Sequence, residues 1–158
     1  MFDWLDQMLT RTPLHLSEMG HVRELWGIRQ RWREWHGHWS PHCERTKAVI
    51  REAVALCPRR RRVAVLGSGW LNDVPIEELS SSFDEVILVD LLHPFSIRWL
   101  ARRWRNVHLI EADVAEVSLG AWQAVEKPGT PLPVSRPTLF LDDAGLDLTV
   151  SCNLLSQL

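Results

Sequence analysis

An apolar run that leads directly into two glycines is the feature that most constrains how this chain folds. In residues 63–75, VAVLGSGWLNDVP, Gly67 and Gly69 follow the run VAVL, and Pro75 follows a polar pair. A continuous apolar run bounded by glycine is typical of a strand that is covered on both faces of a parallel sheet. Glycine reaches backbone angles closed to other residues and lacks the Cβ that would block a ligand. The stretch therefore predicts a buried strand and a turn that a ligand can approach.

Two more apolar runs follow, with a helical pattern between each pair. EVILVD occupies residues 85–90 and VHLIEAD residues 107–113, and the connecting pieces are VPIEELSSS and HPFSIRWLARRW. This alternation predicts right-handed crossovers and a parallel sheet. TLFLDD (138–143) and LDLTVSCNLL (146–155) are both compatible with strands, the second as a fourth parallel strand. We therefore predict an α/β fold with a Rossmann-like parallel sheet of about four to five strands and helices on both faces.

Residues 1–60 have a helical pattern instead. Apolar residues recur at spacings of three, four or seven, which places one stripe on one helix face; its members are Val22, Leu25, Ile28, Trp32, Trp35 and Trp39. Ser40 and Pro41 predict the N-cap and first position of a second helix, which Pro58 ends. We predict a helical segment over 1–60 and a partial Rossmann domain over 61–158, packed as one compact unit.

Composition excludes several classes of protein. The 158 residues carry a formal net charge of −2, which does not favour a nucleic-acid partner. No apolar run approaches the roughly 20 residues that a membrane span needs, and the N-terminus has no signal-peptide pattern. Three scattered cysteines without CxxC spacing suit a reducing compartment. A cytoplasmic protein with no membrane partner is the expectation.

Polar residues stand at the end of each predicted strand. Gly67 and Gly69 end the first strand, Asp90 the second and Asp113 the third. Ligands of parallel sheets bind at these carboxyl ends. A carboxylate at Asp90 is suited to accept both hydroxyls of a ribose, and one at Asp113 to accept from an exocyclic amine. The pattern predicts a nucleoside-containing ligand.

The segment 62–113 resembles the first half of a class I S-adenosylmethionine-dependent methyltransferase. VLGSGWLNDVP stands at the place of its glycine-rich motif, ILVDLLHP at its acidic second-strand end and LIEADV at its third motif; DLTVSCNLLSQL resembles the fourth-strand motif. The N-terminal REWHGHWSPHCERTKAVI is similar to uncharacterised bacterial methyltransferase-like proteins that carry a helical segment ahead of the sheet.

The resemblance implies S-adenosylmethionine as the cofactor and assigns six residues to it. Gly67 and Gly69 would approach its amino-acid portion, Asp90 would hold the ribose and Asp113 the adenine. Asn72 and Asp73 would contact the methionine ammonium or carboxylate. The chain departs from the family pattern at Val65, where an acid is common, and at Leu71, where a third glycine is common. Leu71 is expected to take room from the cofactor.

The family's full sheet has seven strands, whereas this sequence supplies four to five. We hypothesise a chain truncated after the fourth strand, which would leave that strand as an open edge and favour a homo-oligomer. Two alternatives to a methyltransferase stay open. One is a catalytically inactive fold that serves as an interaction module. The other is an NAD-binding protein, in which Asn72 would replace the third glycine and Asp113 would have no task.

The sequence names neither a catalytic residue nor the methyl acceptor. His93 is expected to be an exposed loop or capping residue rather than a base. Imidazoles and a thiol cluster at His36, His38, His42 and Cys43. A structural zinc site needs four ligands in a tetrahedral array, and Pro41 interrupts this run. We expect a surface or substrate-facing cluster and predict no metal.

Overall fold

A four-stranded parallel sheet forms the centre of the protein. The structure, a computed structural model, describes residues 3–127 and 129–152. The strand order is β3-β2-β1-β4, the order found in one half of a Rossmann sheet. The strands are β1 (Arg62–Leu66), β2 (Glu85–Asp90), β3 (Val107–Glu111) and β4 (Leu146–Ser151).

Helices precede and connect these strands, and the predicted fold class is confirmed. The four helices before the sheet are α1 (Asp3–Leu9), α2 (Leu14–Glu18), α3 (His21–Glu34) and α4 (His36–Leu56). Those that follow β1, β2 and β3 are α5 (Ile76–Ser82), α6 (Phe95–Ala101) and α7 (Ser118–Glu126). No helix in the described part of the chain has the length and hydropathy needed to cross a membrane.

The two central strands are covered on both faces. Successive side chains of a strand point to opposite faces, yet Val63, Ala64 and Val65 are all 0% exposed. The same holds for residues 86–89 of β2, all of them buried. The apolar runs are therefore buried strands, as their continuous hydrophobicity predicts.

Residues 138–143 form turns rather than the strand that TLFLDD allows. The carboxylate of Glu116 accepts hydrogen bonds from the backbone N–H and the hydroxyl of Thr138, which fixes the start of the segment. Short-range backbone bonds follow, from Leu141 to Thr138 and from Asp143 to Phe140, and Phe140 has φ +66°. These local contacts replace the pairing that a strand would need.

The second long helix begins earlier than the Ser40-Pro41 cap predicts. The chain bends at Trp35, whose carbonyl accepts the N–H groups of His38 and Trp39. The first turn of α4 is thus complete before Pro41, which lies inside the helix. The buried residues of α4 are Cys43, Ile50 and Val54. Trp35, by contrast, is 55% exposed and is not part of the core.

A buried carboxylate on α1 fastens the N-terminal segment to α6. Asp6 is 0% exposed and accepts hydrogen bonds from the backbone N–H of Ser96 at 2.8 Å and from its hydroxyl at 2.6 Å. Thr10 adds a second link, because its hydroxyl accepts the N–H of Phe95 at 3.0 Å. The first turn of α6 is therefore capped from another helix.

Strand β4 pairs in parallel with β1 and is an edge strand among the described residues. Ion pairs fix the start of this pairing: Arg61 to Asp147 at 2.7 Å and Arg62 to Asp143 at 2.5 Å. Residues 153–158, the last part of the predicted fourth-strand motif, lie outside the described residues. Self-association through the β4 edge stays a prediction.

Replacing Asp6 tests whether residues 1–60 and the sheet form one unit. Asp6→Ala leaves two donors of Ser96 without an acceptor, so we expect the free energy of unfolding to fall by about 1–3 kcal/mol. The neighbouring Gln7 is exposed, and Gln7→Ala should stay within about 0.5 kcal/mol of the parent. Urea unfolding followed by tryptophan fluorescence measures both. A single transition that shifts as a whole is expected, whereas a separate early transition that moves alone would show two independent domains.

Candidate functional site

The turn after β1 folds closely over the end of β2. The backbone N–H groups of Gly67 and Ser68 both donate to the carbonyl of Val89, at 2.9 and 3.1 Å. Gly67 has φ +75° and Gly69 has φ +47°, conformations that favour glycine. The glycines are therefore required by the backbone of the turn itself.

Asp90 joins the end of β2 to this turn. Its Oδ2 accepts the N–H of Gly69 at 2.7 Å, and its Oδ1 accepts that of Leu91 at 2.8 Å. Burial raises the pKa of Asp90 above its ordinary value, although the N–H of Gly69 opposes the rise. A carboxylate has about four lone-pair sites, and the N–H groups of Gly69, Leu91 and Leu92 all point to Asp90, so about one site remains for a ligand hydroxyl.

Asp113 binds backbone N–H groups close to it in the chain, a role that the sequence does not suggest. Its Oδ2 accepts the backbone N–H groups of Val117 at 2.8 Å and Ser118 at 2.6 Å, and its Oδ1 accepts that of Ala115 at 3.0 Å. Burial alone would raise the pKa of Asp113, but the Ser118 and Val117 donors outweigh it and the pKa is lowered. The carboxylate thus caps α7 and shapes the loop after β3, with little acceptor capacity left over.

One cavity of about 960 Å³ brings the predicted site residues together. It lies at the carboxyl ends of β1, β2 and β3, where parallel sheets bind ligands. All six predicted site residues line it: Gly67, Gly69, Asn72, Asp73, Asp90 and Asp113. The structure therefore places them around a single space, although their contacts with a cofactor stay a prediction.

Leu71 does not reduce this space, contrary to the expectation from sequence. It has φ +58°, the left-handed conformation for which glycine is favoured. Its side chain is 9% exposed, packs in the hydrophobic core and is not part of the cavity wall. The backbone at Leu71 thus has the conformation that a third glycine would allow. Packing of the Leu71 side chain in the core offsets the cost of the left-handed conformation.

The N-terminal helices supply the opposite wall of the cavity, which the sequence did not reveal. Side chains of α3 and of the first turns of α4 line it, and these include Leu25, Ile28, His38, Trp39 and His42. A helical pattern shows which residues share a face but does not show which strand ends that face meets. Of the predicted surface or substrate-facing cluster, His38, His42 and Cys43 line the cavity, and their facing a substrate stays a prediction. His36 does not line the cavity; its ring packs on Trp32.

Trp70 explains why this wall is fixed in place. It follows Gly69 directly, and its indole N–H donates to the carbonyl of Leu25 at 2.7 Å. The ring of Trp26 packs edge-on against it at 4.8 Å, and the guanidinium of Arg29 lies 4.3 Å from its ring centre. The glycine turn and α3 are therefore one packed unit.

His93 is buried, so the expectation of an exposed loop residue is wrong. It is 0% exposed, and its Nε2 lies 3.1 Å from the hydroxyl of Ser68 in the glycine turn. Its backbone N–H donates to Glu111, which also pairs with Arg98. Burial lowers the pKa of His93 from 6.5 to about 4. The imidazole is neutral at physiological pH and contacts the glycine turn through Ser68.

Carboxylates outnumber cations on the cavity wall. Glu24, Asp73, Asp90 and Asp113 line it, whereas Arg31 is the one Lys or Arg side chain among its described lining residues. The guanidinium of Arg31 lies 3.7 Å from the carboxylate of Glu24. The cavity therefore favours a ligand that carries positive charge.

A second hollow of about 630 Å³ lies at the other end of the sheet, beside Arg62, Glu85 and His108. Arg62 and Glu85 are paired with each other at 2.6 Å. Within residues 3–127 and 129–152, no group of three or more His, Cys, Asp or Glu side chains is arranged to hold a metal ion.

No protein-family model matches the chain, and no curated protein matches it. A solved structure similar to it is the crystal structure of Burkholderia thailandensis 1,6-didemethyltoxoflavin-N1-methyltransferase with bound 1,6-didemethyltoxoflavin and S-adenosylhomocysteine. The two are 19% identical with a TM-score of 0.43, and the match covers 68% of this chain and 47% of that chain. This chain thus spans about half the length of that protein, and a likeness of this size does not establish a family.

Gly69→Ala tests whether the turn requires its left-handed backbone. An added Cβ meets only the Asp90 carboxylate, at an ordinary 3.9 Å, so the cost is conformational. We expect the free energy of unfolding to fall by about 1–2 kcal/mol. Gly37, in α4, has open space around its Cα, and Gly37→Ala should be neutral or stabilising by up to about 1 kcal/mol. Equal changes in the free energy of unfolding for Gly69→Ala and Gly37→Ala, in thermal or urea unfolding, would contradict this account of the turn.

His93 predicts a loss of stability in mild acid. Its folded pKa lies below its ordinary value, so between pH 6.5 and about 4 the unfolded chain binds a proton that the folded chain does not. The contribution of neutral His93 to the free energy of unfolding is therefore fully present above pH 6.5. It falls by up to about 3 kcal/mol as the pH drops to 4. His93→Gln should flatten this part of the stability–pH curve in urea titrations, and His36→Gln, at an exposed position, should not. An unchanged slope in His93→Gln would refute the prediction.

Proposed function

We propose that the chain binds S-adenosylmethionine at the carboxyl ends of β1, β2 and β3 and acts as a methyltransferase-like protein. The observation that carries this proposal is the meeting of the glycine turn and two strand-end acids around one cavity. Its volume, about 960 Å³, lies at the upper end of the usual range of ligand pockets, about 300–1,000 Å³. A nucleoside-sized cofactor and a small acceptor fit this range together.

Charge supports this cofactor over NAD. S-adenosylmethionine carries a sulfonium and an ammonium against one carboxylate, and this net positive charge suits a wall rich in carboxylates. NAD carries a pyrophosphate, and Arg31, the one Lys or Arg side chain among the described lining residues, is already beside Glu24. The NAD alternative is therefore disfavoured by charge.

Each proposed contact follows from a local geometry. The glycine turn, with Gly67 and Gly69 lacking a Cβ, gives clearance for the amino-acid portion of the cofactor. Asp90 accepts from a ribose hydroxyl with the lone pair that its backbone donors leave unused. Asn72 and Asp73, both half-buried on the cavity wall, face the charged methionine groups.

Asp113 serves the same site in a different manner from the one that the resemblance implies. Because its carboxylate caps α7, we propose that it acts on the adenine through the loop it shapes. Ala112, Val114 and Ala115 of this loop line the cavity. The base would then rest on backbone and small apolar side chains. Methyl transfer to an acceptor is the proposed activity.

Calorimetric titration tests the cofactor. We expect S-adenosylmethionine and S-adenosylhomocysteine to bind and NAD not to bind. Asp90→Ala should weaken binding at least tenfold, about 1.4 kcal/mol, because it removes a ribose acceptor and loosens the glycine turn. The affinity of Asp90→Asn, which keeps one carbonyl acceptor, should lie between the affinities of the parent and of Asp90→Ala.

Asp84 provides the matched control, since it is an exposed acid just before β2, at the opposite end of that strand. Asp84→Ala should bind like the parent, and melting curves of all variants separate lost folding from lost binding. Unchanged affinity in a folded Asp90→Ala variant would remove Asp90 from the site. Binding of NAD in preference to both sulfur ligands would overturn the proposed function.

A further inference from the structure

Ser68 lies at the centre of the glycine turn, and each of its polar groups has a partner inside the protein. Its N–H donates to the carbonyl of Val89 at 3.1 Å, and its carbonyl accepts the N–H of Leu71 at 3.0 Å. Its hydroxyl lies 3.1 Å from Nε2 of His93. Ser68 lines the cavity but is 1% exposed, whereas His93 is not among the lining residues. The hydroxyl is therefore directed behind the cavity wall rather than into the cavity.

The backbone of His93 is fixed from the end of β3. Its N–H donates to the carboxylate of Glu111 at 2.9 Å, and its carbonyl accepts the Nε–H of Arg98 at 3.2 Å. Arg98 also pairs with Glu111, so these three residues contact one another. The His93 ring extends the contacts to Ser68. One chain of hydrogen bonds thus joins the ends of β3, β2 and β1, the three strand ends at which the proposed site lies.

The imidazole of His93 is a costly group to place in this position. Its Nδ1 is buried and has no hydrogen-bond partner among the residues that the structure describes. An unpaired buried polar atom lowers stability, and an apolar ring would fill the same space without that cost. What the imidazole adds over an apolar ring is its contact with Ser68. Departures from full hydrogen bonding are expected at functional sites, where the gain lies in function rather than in stability.

We propose that His93 is a positioning residue for the cofactor, which acts by holding Ser68 and thereby the centre of the glycine turn in one conformation. Without this contact the turn samples further conformations. Ligand binding then has to order the turn, and the affinity falls by the cost of that ordering. This role rests on the proposed function, because it concerns the same cofactor site.

The affinity of S-adenosylhomocysteine for folded variants of the full chain, measured by calorimetry, tests this role. His93→Phe keeps an aromatic ring and removes the contact with Ser68, and Ser68→Ala removes the same contact from the other side. We expect each substitution to weaken binding at least threefold. The double variant should bind no more than twofold more weakly than the weaker of the two single variants, because all three lose one and the same contact.

His93→Gln tests whether the hydrogen bond itself is needed. The glutamine amide carries both a donor and an acceptor, and it can reach the hydroxyl of Ser68 from the position of Nε2. We expect the affinity of His93→Gln to lie within twofold of the parent.

Val86→Ala is the control for a purely structural role. Val86 is 0% exposed, lies in β2 and is not part of the cavity wall. Val86→Ala should lower the free energy of unfolding and leave the affinity for S-adenosylhomocysteine within twofold of the parent. If His93→Phe does not fold, Ser68→Ala, which is the smaller change, decides the outcome.

The outcomes separate this role from the proposed function. A parent that binds S-adenosylhomocysteine, with folded single variants that bind it equally well, would overturn the role of His93 alone. Effects that multiply in the double variant, or binding by His93→Gln as weak as that by His93→Phe, would also overturn it. If the parent does not bind S-adenosylhomocysteine, the proposed function fails, and the role of His93 fails with it.

Discussion

The hydrogen bond between the Asp90 carboxylate and the N–H of Gly69 is the contact on which the site depends. It ties the end of β2 to the turn after β1 at 2.7 Å and fixes Gly69 in a left-handed conformation. Ser68, between the two glycines, is held from the other side by buried His93. A turn restrained from both sides keeps the carboxyl ends of neighbouring strands open to one space.

The N-terminal helices are part of this arrangement rather than an appendage to it. Trp70 extends the glycine turn into α3, and Asp6 fastens α1 to α6. These contacts place rings from α3 and α4 opposite the strand ends. The resulting cavity has one wall of turns and strand ends and another that α3 and α4 supply.

The sequence predicts the sheet well because buried parallel strands have a distinctive pattern. VAVL and VILV are apolar without alternation, and glycine or aspartate marks where each ends. It predicts less well wherever a distant contact decides the structure. TLFLDD becomes a turn because Glu116 captures Thr138, and α4 starts before Pro41 because the chain bends at Trp35. The wall that α3 and α4 supply is not predicted for the same reason, since only tertiary packing brings Trp39 to the strand ends. Asp113 lies where predicted, but its capping of α7 depends on a loop conformation that composition does not encode.

Amide chemical shifts recorded during titration with S-adenosylhomocysteine test the central claim most directly, because they show where the ligand sits. The account predicts that the amides of Gly67, Gly69, Leu91 and Ala112 shift together with one saturation curve. The chemical shifts of amides at the opposite end of the sheet, such as those of Arg62 and Asn106, should not change. Shifts confined to that opposite end, or scattered without saturation, would contradict the claim that the strand ends and the glycine turn form one binding site.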